Sequence, residues 1–491
     1  MGNGIKLICQ NINYVKEVDY ISGASIIVKK SIWEKLGGFD ERFNPSYFED
    51  TDLAFEIRKS GYKVMYQPKS IVIHYEGISN GRDLKTGIKK YQVRNKELFI
   101  EKWKNELKNQ ETKFNLFNAR DRGYKKNRIL VIDSSIPNFD KDAGGRCTFL
   151  YLNLFKDIGL QVTFLPNDFK KIEPYNTFLQ QNGIETLYGK LYKKNSRRWL
   201  KNNLKYFKYV YLQRPEISKL YIDFIKKYFS GKVIYFAHDL HHIRLYREYN
   251  ITHNYKKLEE GKAIEIIEND IFSKVDVIHI VGSYELNNLK EKYKNKTIRN
   301  IPLFFYEHLL SNIEKNFLKR KGIIFVGRFS HSPNIDSVLW FYKEIFPKIV
   351  ETYPDIIWYI IGNNANYEIK KLQSKNIEIK GHLSEQELFN LYQKCRISIA
   401  PLRFGAGIKG KIIEAAYYQI PMVTTSIGAE GLDNTTGAFI AEDDPKKMSD
   451  IICELYTDYK KLKQMSDSGR LFIEKYFSKK KAKEIIMKDI S

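Results

Sequence analysis

The stretch Pro401-Leu-Arg-Phe-Gly-Ala-Gly-Ile-Lys-Gly-Lys-Ile-Ile-Glu-Ala-Ala-Tyr-Tyr-Gln-Ile-Pro-Met-Val-Thr-Thr425 decides how this chain is read. A short strand pattern at 397–400 precedes it, an apolar-periodic segment occupies 409–419, and a second short strand pattern closes it at 422–425. Strand, glycine loop, helix and strand in that order make one unit of a parallel α/β sheet. Gly405 and Gly407 let backbone approach a ligand closely. The helix that opens near Lys409 leaves free N–H groups around Ile408, and Lys409 and Lys411 set positive charge beside them. That combination suits a diphosphate. Glu414, one turn further along, can accept hydrogen bonds from two adjacent hydroxyls such as those of a ribose. The plainer reading of the same letters is a surface loop before an ordinary capped helix.

The same rhythm extends on both sides. Strand patterns at 322–327 and 356–361 and helix patterns at 335–350 and 385–394 place the quoted stretch inside one doubly wound domain. Upstream, Arg128-Ile-Leu-Val-Ile-Asp133 is a buried-strand pattern, Gly144-Gly145-Arg146 reads as a glycine turn opening a helix over 148–158, and strands follow at 162–164, 209–212, 233–237 and 277–281. Two such domains, with a seam around 300–319, predict a cleft at the carboxyl ends of their strands, where ligands of open parallel sheets bind.

Composition agrees with a folded α/β protein. The 491 residues predict about three domains, or two large ones and an appendage. Hydrophobic residues make 43% of the chain and charged residues 29%, which excludes disordered and collagen-like classes. The longest apolar run, 356–361, is far short of the roughly 20 residues a bilayer requires. No leader pattern opens Met1-Gly-Asn-Gly-Ile-Lys6, so a cytoplasmic protein is expected, at most peripheral to the inner face of a membrane. Cys9, Cys147, Cys395 and Cys453 are scattered, with no zinc or disulfide spacing. The net charge of +24 predicts attraction to polyanions without choosing among nucleic acid, anionic lipid and phosphorylated small molecules. No nucleic-acid motif accompanies it, so no nucleic-acid partner is expected.

The quoted stretch resembles the nucleotide-sugar site of retaining glycosyltransferases of group 1, also called family 4, which have the GT-B fold. Phe325-Val-Gly-Arg-Phe-Ser-His-Ser-Pro-Asn334, Ile360-Ile-Gly362, Ile379-Lys-Gly-His382, Ser426-Ile-Gly-Ala-Glu-Gly-Leu432 and Gly437-Ala-Phe-Ile440 follow in the family's order, and the resemblance covers about 128–480. It implies metal-independent transfer from a nucleotide sugar, with no cofactor. Arg328, Lys409 and Lys411 would neutralise the diphosphate, Glu414 would hold the ribose, and Gly405, Gly407 and Ile408 would give backbone contacts. Ala143-Gly-Gly-Arg146 resembles the glycine turn near the reacting sugar, adding Gly144 and Gly145 to the donor set. Phe236-Ala-His-Asp-Leu-His-His242 resembles the strand end that presents a histidine, here His238, with Arg214 a weaker candidate. Two departures stand out. Many relatives carry a carboxylate eight positions before the second glutamate, where this chain has Ala406, and a basic residue near Pro333 and Asn334, for which Lys409 would compensate.

Residues 18–76 resemble something else. Val18-Asp-Tyr-Ile-Ser-Gly-Ala-Ser-Ile-Ile-Val28, Leu36-Gly-Gly-Phe-Asp-Glu-Arg-Phe43, Tyr47-Phe-Glu-Asp-Thr-Asp-Leu53, Gly61-Tyr62 and Val72-Ile-His74 are similar to the second half of an inverting family 2 glycosyltransferase with the GT-A fold. That resemblance implies Asp50 as a general base and His74 as a metal-site histidine, in a domain whose nucleotide-binding half is not seen before Val18. An inactive remnant, a chain start clipped from a longer two-transferase protein, or a working site completed by another subunit through self-association or a missing partner are the expectations. The resulting division is 1–108 for this segment, 109–127 as linker, 128–303 as acceptor-side domain, 304–475 as nucleotide-sugar domain, and 476–491 as a helix packing back toward the acceptor-side domain. Residues 190–208 hold eight Lys or Arg and no acid, interleaved with apolar residues. They are drawn equally well as a membrane-docking helix or as a solvated face with core-directed aromatics. The expected function is sugar transfer to a surface-polysaccharide, glycolipid or protein-linked acceptor; the alternative is a catalytically weak homologue acting as a binding partner in a glycan-assembly complex.

Overall fold

The computed structural model describes residues 13–73, 87–108, 110, 115–122 and 126–490. Cys9 and His74 lie outside the described residues. The chain divides into two compact units, 1–130 with 155–208, and 131–154 with 209–491.

In the first unit, β1 (Lys16–Glu17) and β2 (Met65–Tyr66) pair antiparallel. Helices Lys30–Leu36 and Glu49–Lys59 cover them, and Val18, Ile32, Leu53, Ala54, Ile57 and Val64 form a small core. Asp52 is buried on the Glu49–Lys59 helix and accepts a hydrogen bond from the indole of Trp103 at 2.7 Å and from Lys102 at 2.9 Å, which fastens the helix Lys90–Lys102. The same unit holds the start of β3 (Arg128–Asp133), then β4 (Gln161–Pro166) and β5 (Glu185–Thr186), in the order β5-β4-β3.

The stretch expected as a linker is packed where it is described. Arg120 makes a bidentate pair with Glu185 at 2.6 and 2.7 Å, Arg128 reaches Asp121 at 2.8 Å, and the Tyr14 hydroxyl donates to Asp121 at 2.6 Å. All four charged groups are buried, and each has its counter-charge in hand. The basic helix forms as Lys190–Asn203, and its apolar side turns inward: Tyr192 and Leu200 are buried and Trp199 packs on Phe117 and Phe207. Of its apolar side chains only Leu191 is exposed. The solvated-face reading therefore describes the aromatics, while the lysines and arginines stay outside.

In the second unit β3 continues into the ladder β3-β6-β7-β8-β9, with β6 (Tyr209–Gln213), β7 (Lys232–Ala237), β8 (Val277–Ile280) and β9 (Thr297–Asn300) parallel. A second parallel sheet holds β10 (Ile323–Val326), β11 (Trp358–Ile361), β12 (Ile377–Lys380), β13 (Ile397–Ala400), β14 (Met422–Thr424) and β15 (Phe439–Ala441), ordered β12-β11-β10-β13-β14-β15. The inner strands of both sheets are buried on two faces, which is why most of them read as apolar runs. In the second sheet the winding reverses between β10 and β13, the switch point where such sheets take ligands.

Two expectations change. The helix expected over 335–350 is two, Ser332–Glu344 and Phe346–Thr352, because Pro347 has no N–H to give and its ring clashes with a carbonyl one turn back. Gly144 and Gly145 are not a turn before a helix: the helix Ala143–Asp157 already contains them in its first turn, where Asp142 accepts the Gly145 N–H at 2.8 Å. At the far end the chain closes with helix Lys479–Ile486, after which Asp489 meets His279 of β8 at 3.1 Å and Arg299 of β9 at 2.5 Å.

Candidate active site

The glycine loop between β13 and the helix Gly410–Tyr417 sits at the switch point. Gly407 has φ +67, and a Cβ there would stand 2.8 Å from Cβ of Asp239 and 3.0 Å from the His238 carbonyl, so only glycine fits. Ile408 seats its side chain where Gly282 and Gly431 have none. Lys409, just before the helix, donates to the Gly407 carbonyl and lies 3.9 Å from Glu430. Burial lowers its pKa, against the pull of Glu430 and Glu285.

Lys411 turns the other way. Its ammonium donates to Asn334 at 2.7 Å and lies 4.3 Å from the Phe325 ring, while Asn334 donates to the Arg328 carbonyl at 2.8 Å. Lys411 thus sets a cation beside the turn after β10 from the neighbouring helix. Burial, reinforced by Lys409, pushes Lys411 down to about 7. Arg328 is half exposed at the end of β10, 3.7 Å from Asp142. Glu414 accepts from Arg146 at 3.1 Å and from the Tyr392 hydroxyl at 3.3 Å. Arg146 lies over Phe304 and Tyr306, and Tyr306 stacks on Tyr417 at 3.7 Å.

The ends of β3, β6 and β7 supply the other wall. Asp133 accepts from Arg214 at 2.7 Å, and Gly144 gives the guanidinium room, since a Cβ there would lie 2.8 Å from it. His238 Nε2 lies 2.8 Å from the Gln213 side-chain amide, whose same atom lies 3.0 Å from the Thr148 hydroxyl, itself 2.9 Å from Asp133. That atom is the Gln213 side-chain oxygen Oε1, which accepts from the Thr148 hydroxyl and is shared with His238 Nε2. Burial, with Arg214 adding, holds His238 down at about 3, so it works as a neutral imidazole. Its neighbour His241 is the opposite case: against burial, Asp239 at 3.1 Å and Glu216 at 3.2 Å raise it to about 9.

Sequence reading brought His238, Arg328, Gly144, Gly145, Gly405, Gly407, Ile408, Lys409, Lys411 and Glu414 to this region, and the structure gathers them there. Asp50 belongs to the other unit, where its carboxylate accepts the Gly23 N–H at 2.6 Å and the Thr51 N–H at 2.6 Å. Arg247, Glu285 and Glu430 escaped notice. Arg247 donates to the Gly405 carbonyl at 2.8 Å and grips Glu430 at 2.7 Å with each terminal nitrogen. Glu285 is buried and accepts the Gly407 N–H at 2.5 Å. Nothing local marks these residues, because their partners lie more than 120 positions away. Among the described residues no cluster of His, Cys, Asp and Glu is arranged to hold a metal ion, and no helix is long and apolar enough to cross a membrane.

Two doubly wound parallel sheets with a glycine loop at a switch point define a GT-B-type α/β protein. Residues 320–458 match the model of the family Glycosyl transferases group 1. An uncharacterized 44.6 kDa protein in the cps region of Klebsiella pneumoniae is 27% identical over 184 residues, which is 36% of this chain and 47% of that protein. In the N-terminal region, an N-acetylglucosaminyl-diphospho-decaprenol L-rhamnosyltransferase of Mycobacterium tuberculosis is 38% identical over 68 residues, 14% of this chain and 22% of that protein. The chain thus spans half or less of these two relatives. Among solved structures, sucrose-phosphate synthase of Thermosynechococcus elongatus superposes with a TM-score of 0.58 at 12% identity, covering 74% of this chain and 98% of that one. HepE of Anabaena in complex with UDP-glucose gives 0.54 at 12% identity, covering 74% and 99%. At these identities the structural likeness speaks for the fold alone.

Proposed function

We propose that the chain is a glycosyltransferase that moves a sugar from a nucleoside-diphosphate donor to a surface-polysaccharide, glycolipid or protein-linked acceptor, with retention and without a metal ion. The observation that carries this reading is the Gly405–Gly407 loop with its helix N-terminus, Lys411 beside Arg328, and Glu414 on the same helix. As the bond from the sugar's anomeric carbon to the diphosphate breaks, its electron pair goes to phosphate oxygen. Arg328 and Lys411 neutralise that charge, and the N–H groups opening the Gly410–Tyr417 helix add to it without reorganising. The acceptor hydroxyl bonds the anomeric carbon and its proton leaves with the diphosphate. His238, as a neutral imidazole, hydrogen-bonds the sugar. Glu414 exchanges Arg146 for the ribose hydroxyls.

The cps-region relative supports a polysaccharide acceptor, and the relative named for a decaprenol-linked substrate supports one held at a membrane. Lipid docking through the exposed cations of 190–208 fits a protein at the inner face of a membrane; flotation with anionic liposomes, reversed by salt, tests it. A uridine nucleotide is the first donor to try, since HepE was solved with UDP-glucose. The test is a thermal-shift panel of UDP, GDP, dTDP, ADP and their sugars, with EDTA or Mn²⁺, on wild type and Glu414→Ala. Stabilisation in EDTA that the variant loses, together with donor hydrolysis, supports the reading. Ala406 favours the second reading, a weak homologue acting within a glycan-assembly complex, which absence of binding across the panel would select.

A further inference from the structure

The missing carboxylate at 406 leaves a specific question, namely what in this site meets the hydroxyls of the donor sugar. Two side chains of the opposite wall hold the peptide groups on either side of Ala406. Arg247 binds the Gly405 carbonyl at 2.8 Å, and is itself fixed by the two 2.7 Å bonds to Glu430 and by the Tyr284 ring 5.3 Å away. Glu285 binds the Gly407 N–H at 2.5 Å, and Gly282 leaves space for its second oxygen, which a Cβ at 282 would approach to 2.7 Å. That second oxygen is buried and has no hydrogen-bond partner among the described residues, so the placement of Glu285 is not explained by its own satisfaction.

A trans peptide points its C=O and N–H in opposite directions. With the Gly405 carbonyl turned to Arg247, the N–H of Ala406 points away from Arg247. With the Gly407 N–H turned to Glu285, the carbonyl of Ala406 points away from Glu285. One donor and one acceptor of the same residue are therefore left free of both holders, at the position where relatives carry a carboxylate.

We propose that Arg247 and Glu285 are positioning residues that orient the backbone N–H and C=O of Ala406 toward the hydroxyls of the donor sugar, replacing the absent side-chain acid. This rests on the loop being the donor site. It predicts that the two residues matter for the sugar and little for the nucleotide, because Glu414, Lys411 and Arg328 hold the latter.

The experiment measures the dissociation constants of UDP and of UDP-glucose on the full chain for wild type, Glu285→Leu, Glu285→Gln and Arg247→Met, with melting temperatures recorded for each. A misoriented hydrogen-bonding pair costs about tenfold in affinity. Glu285→Leu and Arg247→Met should weaken UDP-glucose about tenfold and leave UDP within about threefold. Glu285→Gln, which keeps a carbonyl acceptor for the Gly407 N–H, should restore UDP-glucose binding to within about threefold of wild type. Equal loss for UDP and UDP-glucose, or no loss for either, overturns the inference while the donor-site reading stands. If Glu285→Leu fails to fold, Arg247→Met decides alone by the same ratio. A wild-type chain that binds neither UDP nor UDP-glucose removes the UDP donor reading and this inference with it.

Discussion

Replacing Lys411 with methionine should make the empty protein more stable and its donor site worse. The ammonium is held among Phe325, Asn334 and Lys409, and burial brings it from 10.5 to about 7. At about 1.36 kcal/mol per unit that displacement corresponds to about 5 kcal/mol of strain borne by the protonated form, and relaxation and water leave roughly 2–3 kcal/mol of it. The sign follows from proton counting. Between pH 7 and 10.5 the unfolded chain keeps this proton and the folded chain has released it, so stability rises with pH across that window. Below pH 7 both states hold the proton and the full penalty applies. Urea denaturation at pH 6.5 should therefore show Lys411→Met more stable than wild type by about 2–3 kcal/mol, a gap that closes by about pH 10. A diphosphate supplies the missing counter-charge, so nucleotide stabilises wild type and gives the variant much less. A variant that is less stable at pH 6.5, or that binds nucleotide as wild type does, refutes Lys411 as a cation held ready for an anion.

Gly407→Ala should lose at least about 1–2 kcal/mol in urea denaturation and most donor hydrolysis, because the left-handed backbone and the close approach of Asp239 both exclude a Cβ. His238→Ala should lower turnover with little change in UDP affinity, and wild-type turnover should show no ionisation from this histidine between pH 5 and 9, since its imidazole is already neutral there. Arg120→Met should cost about 3–5 kcal/mol by leaving the Glu185 carboxylate buried without its partner, whereas Arg120→Met with Glu185→Leu should recover most of that in the same denaturation assay.

Much of the α/β framework was legible because buried parallel strands are continuous apolar runs: 129–132 and 209–212 needed nothing beyond local pattern. The helix break at Ile345 was legible in principle, since Pro347 cannot continue a helix from the preceding turn. The linker expected at 109–127 was read from polarity, and polarity does not report burial. Arg120 and Asp121 are polar and buried, and their partners Glu185 and Tyr14 lie far along the chain. The site divides along the same line. Its loop, its lysines and Glu414 are consecutive in sequence, so spacing alone assembles them. Arg247, Glu285 and Glu430 act on that loop from across the fold, and Lys411 reaches Asn334, 77 positions away. Contacts at such separations leave no mark in the one-dimensional pattern.

The buried ion pairs of the first unit also govern how the chain can be cut. Glu185, 1% exposed on β5, takes both oxygens' worth of charge from Arg120, and Arg128 at the start of β3 answers Asp121. Excising residues 1–127 to isolate the two sheets would carry away Arg120 and Asp121 together, stranding an anion and a cation inside what remains. A shortened chain beginning at Arg128 should precipitate or unfold until Glu185 and Arg128 are replaced by apolar residues, so the N-terminal segment is inherited with the strands it neutralises.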